Sequence, residues 1–300
     1  MNSYLMAFVQ IILVLLLAPL FEGVMRKLVA LVHSRIGPPL HQPYLDLLKL
    51  LGKEELVTTP HALFRHSALL GLAAILTTAV LIPIGMLPPL ESAGDILVFI
   101  YLITLAAVMV VISGVASDSP YAAIGASREV MMLLTVEPVI VIALISMAVK
   151  AGSTQFGDIM AWQAANAPTF STLLAGLTLF IAIVAQMARL PFDIVEADQE
   201  IMEGPFIEQS GPKLALFKWM IYAKQFIFAA VFISLFVPWP VMQTAALNFF
   251  FTLLKMVILL IIVGVVHVVN PRLRIDQAVR FFMALIVIEL AGLALALVGS

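Results

Sequence analysis

Six carboxylates, Asp193, Glu196, Asp198, Glu200, Glu203 and Glu208, fall in one short stretch of this sequence that begins at Arg189. Pro191 can open a helical turn there and Gly204-Pro205 would end it. On a helix, at about 100° per residue, Asp193, Glu196, Glu200 and Glu203 share one face while Asp198 points away. Carboxylates so spaced repel one another, which raises some of their pKa values and lets them exchange protons near neutral pH. Most charge runs are solvated faces. Here Phe192, Ile194, Val195, Ile201, Met202, Phe206 and Ile207 are interleaved with the acids, too apolar a mixture for a solvated loop.

A second set of charges sits inside apolar runs. Glu137 is flanked by Leu133, Leu134, Val139 and Ile140, and an acid in such a place marks a proton or ion path by default. Lys224 and Lys255 lie deep in their own apolar stretches and call for a partner or a water-filled cavity. Lys218 and Glu289 are read as near enough to the ends of theirs to reach the interface. Two connecting segments complete the inventory. In Arg26 to Glu55, Asp46, Lys49 and Lys53 keep the i, i+3, i+7 spacing of an amphipathic helix lying on a membrane surface, or of ordinary ion pairs on such a helix. The other, Ala116 to Val130, carries Asp118, Arg128 and Glu129.

Several kinds of chemistry are missing. There is no cysteine, which removes disulfides, zinc thiolate sites and all-cysteine iron–sulfur ligation. The five histidines show no metal-ligand spacing. No nucleotide-binding glycine motif, nucleophile elbow or metalloprotease helix is present. The chain therefore reads as part of an ion-translocating machine with no cofactor of its own, and any redox centre belongs to a partner.

The elements that must position these residues are dictated by lipid. The 300 residues are 63% hydrophobic and 11% charged, against about 25% charged in a soluble domain. The expected fold is an all-α integral membrane protein, one membrane domain over residues 1–300. Eight apolar stretches are long enough to span, near 4–25, 67–88, 96–116, 130–149, 169–188, 214–237, 243–266 and 280–299. The first has no basic leader and no cleavage-like site after it, so it is read as a retained helix. No internal repeat stands out. Twelve of the sixteen basic residues fall in the loops 1–2, 3–4, 5–6 and 7–8. The positive-inside rule puts those long loops in the cytoplasm and both termini outside. The other face carries only Glu91, Asp95, Asp158 and Lys150. Both signs of charge gathered on one face suggest a docking surface.

Taken in order, these segments resemble the membrane subunit of respiratory complex I that walls its quinone chamber. The run His33-Ser-Arg35-Ile-Gly37-Pro38 with Gln42, Asp46, Lys49 and Lys53-Glu54 is similar to that family's first signature. Arg189-x-Pro191-Phe192-Asp193-x-x-Glu196-Ala197-Asp198-x-Glu200, then Gly204, Glu208 and Ser210-Gly211, resembles its second. Pro271-Arg-x-Arg274-x-Asp276-Gln277 resembles the approach to its last helix. There are departures from the quinone-using branch. Pro39 stands where that branch usually has Asn, His33 where it has Gln, and Met25 where it has an acid in the first span. Thr135-Val136 precede Glu137 in place of Ser-Tyr, and Ile221-Tyr222 replace Glu-Tyr. The run Gly125-Ala-Ser-Arg128-Glu129-Val-Met, followed by Val136-Glu137-Pro138, instead resembles the homologous subunit of energy-converting membrane-bound [NiFe] hydrogenases. Those include the ferredoxin-linked Ech type, the carbon-monoxide-induced type and formate hydrogenlyase.

The resemblance implies a non-catalytic subunit of an oxidoreductase complex in the inner (cytoplasmic) membrane. Its implied partners are the hydrogenase large and small subunits, a ferredoxin-like iron–sulfur subunit and an antiporter-like membrane subunit. The [NiFe] centre and the iron–sulfur clusters would belong to those partners, and nothing points to nucleic acid. Arg35, Asp46, Lys49, Glu54, Asp118, Arg128, Glu129, Arg274 and Asp276 would receive the soluble arm. Asp193, Glu196, Asp198, Glu200, Glu203 and Glu208 would couple it to the ion path, with Glu137, Lys224 and Lys255 inside the membrane. Two other readings stand beside this one: a true quinone-chamber subunit and a self-contained secondary transporter.

Overall fold

The computed structural model describes residues 3–56, 59–90, 93–196, 198–242 and 244–299; Glu91 lies outside them. Among these described residues eleven α-helices run in order as α1 (Ser3–Val32), α2 (Gln42–Leu51), α3 (Ala62–Leu81), α4 (Ile96–Val115), α5 (Pro120–Ala151), α6 (Phe156–Ala165), α7 (Phe170–Gln186), α8 (Asp198–Ile201), α9 (Gly211–Phe236), α10 (Ala245–Val269) and α11 (Ile275–Val298). Among the described residues no strand is present beyond an isolated bridge, Asp95 with Gln155. Seven helices are long and apolar enough to cross a membrane, and α7, at 17 residues, is the shorter apolar helix in the place of the fifth expected span.

Local sequence explains the boundaries. Proline, whose missing N–H costs nothing in a first turn, starts α2, α5 and α9. Asp95 caps α4 by accepting from the Leu97 N–H at 2.9 Å. Gly152, at φ 68°, ends α5 in the left-handed conformation that glycine adopts without strain.

Two helices overshoot their expected spans. At 1.5 Å per residue, the 30 residues of α1 and the 32 of α5 run well past a hydrocarbon core of about 30 Å. The inner turns of α1 therefore carry Glu22 and Arg26, and those of α5 carry Arg128 and Glu129, as helix rather than loop. The expected span 67–88 also shifts, to Ala62–Leu81.

The most buried span is α9, with α1, α2, α3, α6, α7 and α10 packed against it. Around it α1, α10 and α11 turn side chains such as Leu16, Leu254 and Val287 outward, which is the lipid-facing arrangement. α2 lies against α1 and α9, its Tyr44 hydroxyl donating to the Leu16 carbonyl.

The acidic segment does not form the helix expected between Pro191 and Gly204. Only the short α8 is helical, and residues 190–196 are irregular. The apolar residues explain this. Phe192, Ile194 and Val195 are buried, with the Phe192 ring 4.9 Å from that of Phe282 and 5.7 Å from that of Phe281 on α11. An exposed helix would leave them in water, so the chain tucks in, held by the Leu273 N–H donating to the Pro191 carbonyl at 2.9 Å. The segment leaves through a 3-10 turn at Gly204–Phe206 that presses on α5. Gly204 has φ +52°, and a Cβ on Gly125 would come within 2.8 Å of the Gly204 Cα.

Candidate functional site

The inner turns of α1 place Glu22 and Arg26 four residues apart on one face, with Arg26 Nε 3.1 Å from Glu22 Oε1. Arg26 Nη1 reaches Asp46 on α2 at 2.9 Å, and Nη2 donates to the Tyr222 hydroxyl on α9 at 2.8 Å. Arg189, just past α7, pairs with the other oxygen of Glu22. The Gln225 amide closes the cluster, its nitrogen donating to Glu22 and its oxygen accepting from Arg189 at 3.1 Å each. Glu22 is only 4% exposed. Its two oxygens are divided between the two guanidiniums, the pairing that a buried carboxyl group needs. Partial burial pushes the Asp46 carboxyl up, but hydrogen bonds from Gln42 and Arg26 outweigh it and hold the group below its ordinary value.

Three cavities meet along this cluster. The first, open to the inner face, is lined by His33, Arg35 and His267 with Arg26 and Arg189. Those two arginines also line the second, together with Glu22, Tyr222, Lys218 and Glu203. Lys218 faces Glu203 at 3.9 Å. Glu196 borders the second cavity and a third, deeper one that holds Glu129 and Lys224. Burial, then the charge of Asp193, pushes the Glu196 carboxyl up to about 7; Arg189 opposes the shift, and Glu129 and Glu203 add to it. Lys224 is within electrostatic reach of Glu129, Glu196 and Glu137. Glu137, on α5 further into the membrane, accepts from the Thr104 hydroxyl of α4.

The four-carboxylate face expected from helical spacing is thus divided among different partners. Glu196 turns inward to the cavities. Glu200 turns outward, 2.8 Å from Arg128 and 3.4 Å from Arg272. The Arg128 hydrogen bond, then the Arg272 charge, hold the Glu200 carboxyl below its ordinary value. Glu203 meets Lys218, Asp193 lies beside Glu196, and Glu208 is half-buried past the 3-10 turn. The Asp198 side chain lies outside the described residues. Lys255 is apart from all of these. It donates to the Val237 and Pro238 carbonyls at 3.1 and 2.8 Å, satisfying the outer end of α9. Of the expected docking residues, Arg35, Lys49, Glu54, Asp118, Arg274 and Asp276 are exposed on loops or helix ends of the same face.

One sequence expectation is corrected. Glu289 is not an interfacial side chain: it is 0% exposed, between α5, α7 and α11. The acid of the first span is Glu22, one turn before Met25. Sequence reasoning also missed Arg26, Arg189, Tyr222 and Gln225 as site residues. The available signal was the i, i+4 pair Glu22/Arg26 at the end of an apolar run.

Fold and site together define a multi-pass helical membrane protein with a chain of charged cavities entering from one face. The chain belongs to the NADH dehydrogenase family, whose model matches residues 5–298. It is 35% identical over 278 residues to hydrogenase-4 component C of Escherichia coli K12, covering 88% of this chain and 87% of that one. It is 33% identical over 291 residues to formate hydrogenlyase subunit 4 of the same organism, covering 94% and 95%. An NADH-quinone oxidoreductase subunit from Carboxydothermus hydrogenoformans is 30% identical over 270 residues, with 85% of this chain and 77% of that one covered. A chain from the structure of the membrane-bound sulfane sulfur reductase, an archaeal respiratory membrane complex, superposes with a TM-score of 0.91 at 27% identity, covering 99% and 100%.

Proposed function

We propose that this chain is the membrane subunit of an energy-converting [NiFe] hydrogenase complex, which docks the soluble arm and couples its redox reaction to ion translocation. One observation carries the coupling: Glu196 stands between two cavities, with the Glu22–Arg26–Arg189 cluster in front and Glu129 and Lys224 behind. A carboxyl that titrates near 7 changes charge with little driving force. A redox event in an arm seated over the first cavity shifts charge near Arg26 and Arg189, and Glu196 answers by taking or releasing a proton. The guanidinium of Arg189 favours the ionised form, and Glu129, Lys224 and Glu137 extend the path into the membrane.

The kinship with hydrogenase-4 and formate hydrogenlyase subunits supports the hydrogenase partner. The arm would comprise hydrogenase large and small subunits and a ferredoxin-like iron–sulfur subunit, which would hold the metal centres. An antiporter-like membrane subunit would continue the path sideways. The membrane would be the cytoplasmic one, and the excess of basic residues on the charged face supports turning that face inward.

Purification with bound partners tests the assignment. A co-purifying large subunit with two Cys-x-x-Cys pairs supports it, whereas a homologue without them that carries quinone would replace it with the quinone reading. Glu196→Gln in the intact complex should leave hydrogen formation running while ion transport is lost. Unchanged transport would refute the coupling role.

A further inference from the structure

Away from the cavities, in the outer half of the bundle, α11 carries the fully buried Glu289. Its Oε2 lies 2.6 Å from Thr178 Oγ1 on α7, and its Oε1 lies 3.3 Å from Ser146 Oγ on α5. Among the described residues no lysine or arginine is within ion-pairing distance of it. The charged groups on the helices packed around it are elsewhere along their axes. Lys150 is one turn beyond Ser146 at the end of α5, Asp276 and Arg280 are near the start of α11, and α7 has none. The charges of the cavity cluster, Glu129, Glu137 and Lys224, lie nearer the inner ends of α5 and α9.

Hydrogen-bond accounting decides the state of this carboxyl. Each hydroxyl has one proton, and each already has a carbonyl acceptor in its own helix. Thr178 is 3.2 Å from the Leu174 carbonyl and 3.1 Å from that of Ala175, and Ser146 is 2.9 Å from that of Ile142. An ionised Glu289 would be a buried anion facing two shared hydroxyls, a costly arrangement without a cation. A protonated Glu289 donates to Thr178, which passes its own proton to its helix carbonyl, while Ser146 turns its single proton to Oε1. The 2.6 Å separation lies within the usual O–H···O range of about 2.5–3.0 Å. A metal ion fits poorly. A hard cation such as Ca²⁺ gathers about six to eight oxygens in a cage, and here one carboxyl and two hydroxyls close directly on one another.

We propose that Glu289, held between Thr178 and Ser146, is a second membrane-embedded proton-binding site, separate from the Glu196 cavities and selective for H⁺ over Na⁺. That it exchanges its proton during turnover rests on the coupling role proposed above; that it holds one does not.

Infrared spectroscopy of the purified whole complex reads the C=O stretch of protonated carboxyls directly. One such band at neutral pH should vanish in Glu289→Gln and shift in Thr178→Val, where the hydrogen bond is lost but the acid remains. Adding NaCl in place of KCl should leave the band intact. A spectrum that Glu289→Gln and Thr178→Val do not change overturns the site, and bleaching of the band by Na⁺ overturns its selectivity. In vesicles, Glu289→Gln should lower protons moved per hydrogen formed, and an unchanged ratio removes it from the path. Glu196→Gln in the same assay separates the outcomes: transport lost there but unchanged in Glu289→Gln defeats the exchange role alone.

Discussion

A carboxyl that titrates near neutrality has consequences for stability as well as transport. Glu196 is held up to about 7 in the folded protein, against about 4.3 in an unfolded chain. Between those values the folded state binds more protons than the unfolded one, so this residue's contribution to stability falls as pH rises through the window. Thermal unfolding of the complex should therefore show a component that weakens from about pH 4.3 to about 7, and Glu196→Gln should flatten it. Glu22 acts through its ion pairs. Replacing it with Gln leaves Arg189 without its paired carboxylate and Arg26 with Asp46 alone. A loss of about 3 kcal/mol is expected, measurable as a lower denaturation midpoint, and a midpoint unchanged from wild type would mean that water screens the pair. The residue types were readable in the sequence, but their partners were not. Glu22 and Arg26 show their i, i+4 spacing, whereas Arg189, Tyr222 and Gln225 reach them only through helix packing.

The acidic segment shows why local periodicity was a poor guide at the element scale. Helical spacing put four carboxylates on one face, yet burying Phe192 against α11 stabilises more than a solvated helical turn would. The spans themselves were legible, because runs of apolar residues in lipid leave helix as the only economical backbone. Their ends were less so: α1 and α5 continue past the lipid boundary because tertiary contacts with α2, α8 and the 3-10 turn replace the missing apolar signal. The contact between Gly125 and that turn makes a specific prediction. A Cβ at Gly125 would lie 2.5 Å from Pro205 Cδ, so Gly125→Leu should push the acidic segment away from α5. Glu200 would then lose Arg128, and ion transport should uncouple while the spans remain folded by circular dichroism. Retained coupling would show that the segment tolerates the displacement.

For the whole molecule, the inner face is a mosaic of both signs that includes Arg35, Lys49, Glu54, Arg274 and Asp276, all exposed. Exposed charges of this kind set association rates and register more than they set stability. Reversing Arg35 and Arg274 to Glu should therefore weaken retention of the soluble arm without unfolding the membrane domain. The loss should be largest at low ionic strength, where screening is weakest, and pull-down yield against salt concentration would measure it.

The shortness of α7 gives the molecule a sensitivity of another kind. Its 17 residues extend about 25 Å, less than the roughly 30 Å of an average hydrocarbon layer, and Phe170, Leu173 and Leu177 on it face outward. Surrounding lipid must thin beside this helix or the helix must be shielded by a neighbour. Thr178, halfway along it, would then sit closer to the headgroups than its place in the bundle suggests. Acyl-chain length thus becomes a control parameter. Vesicles of progressively longer lipids should increase the mismatch at this flank and slow ion transport.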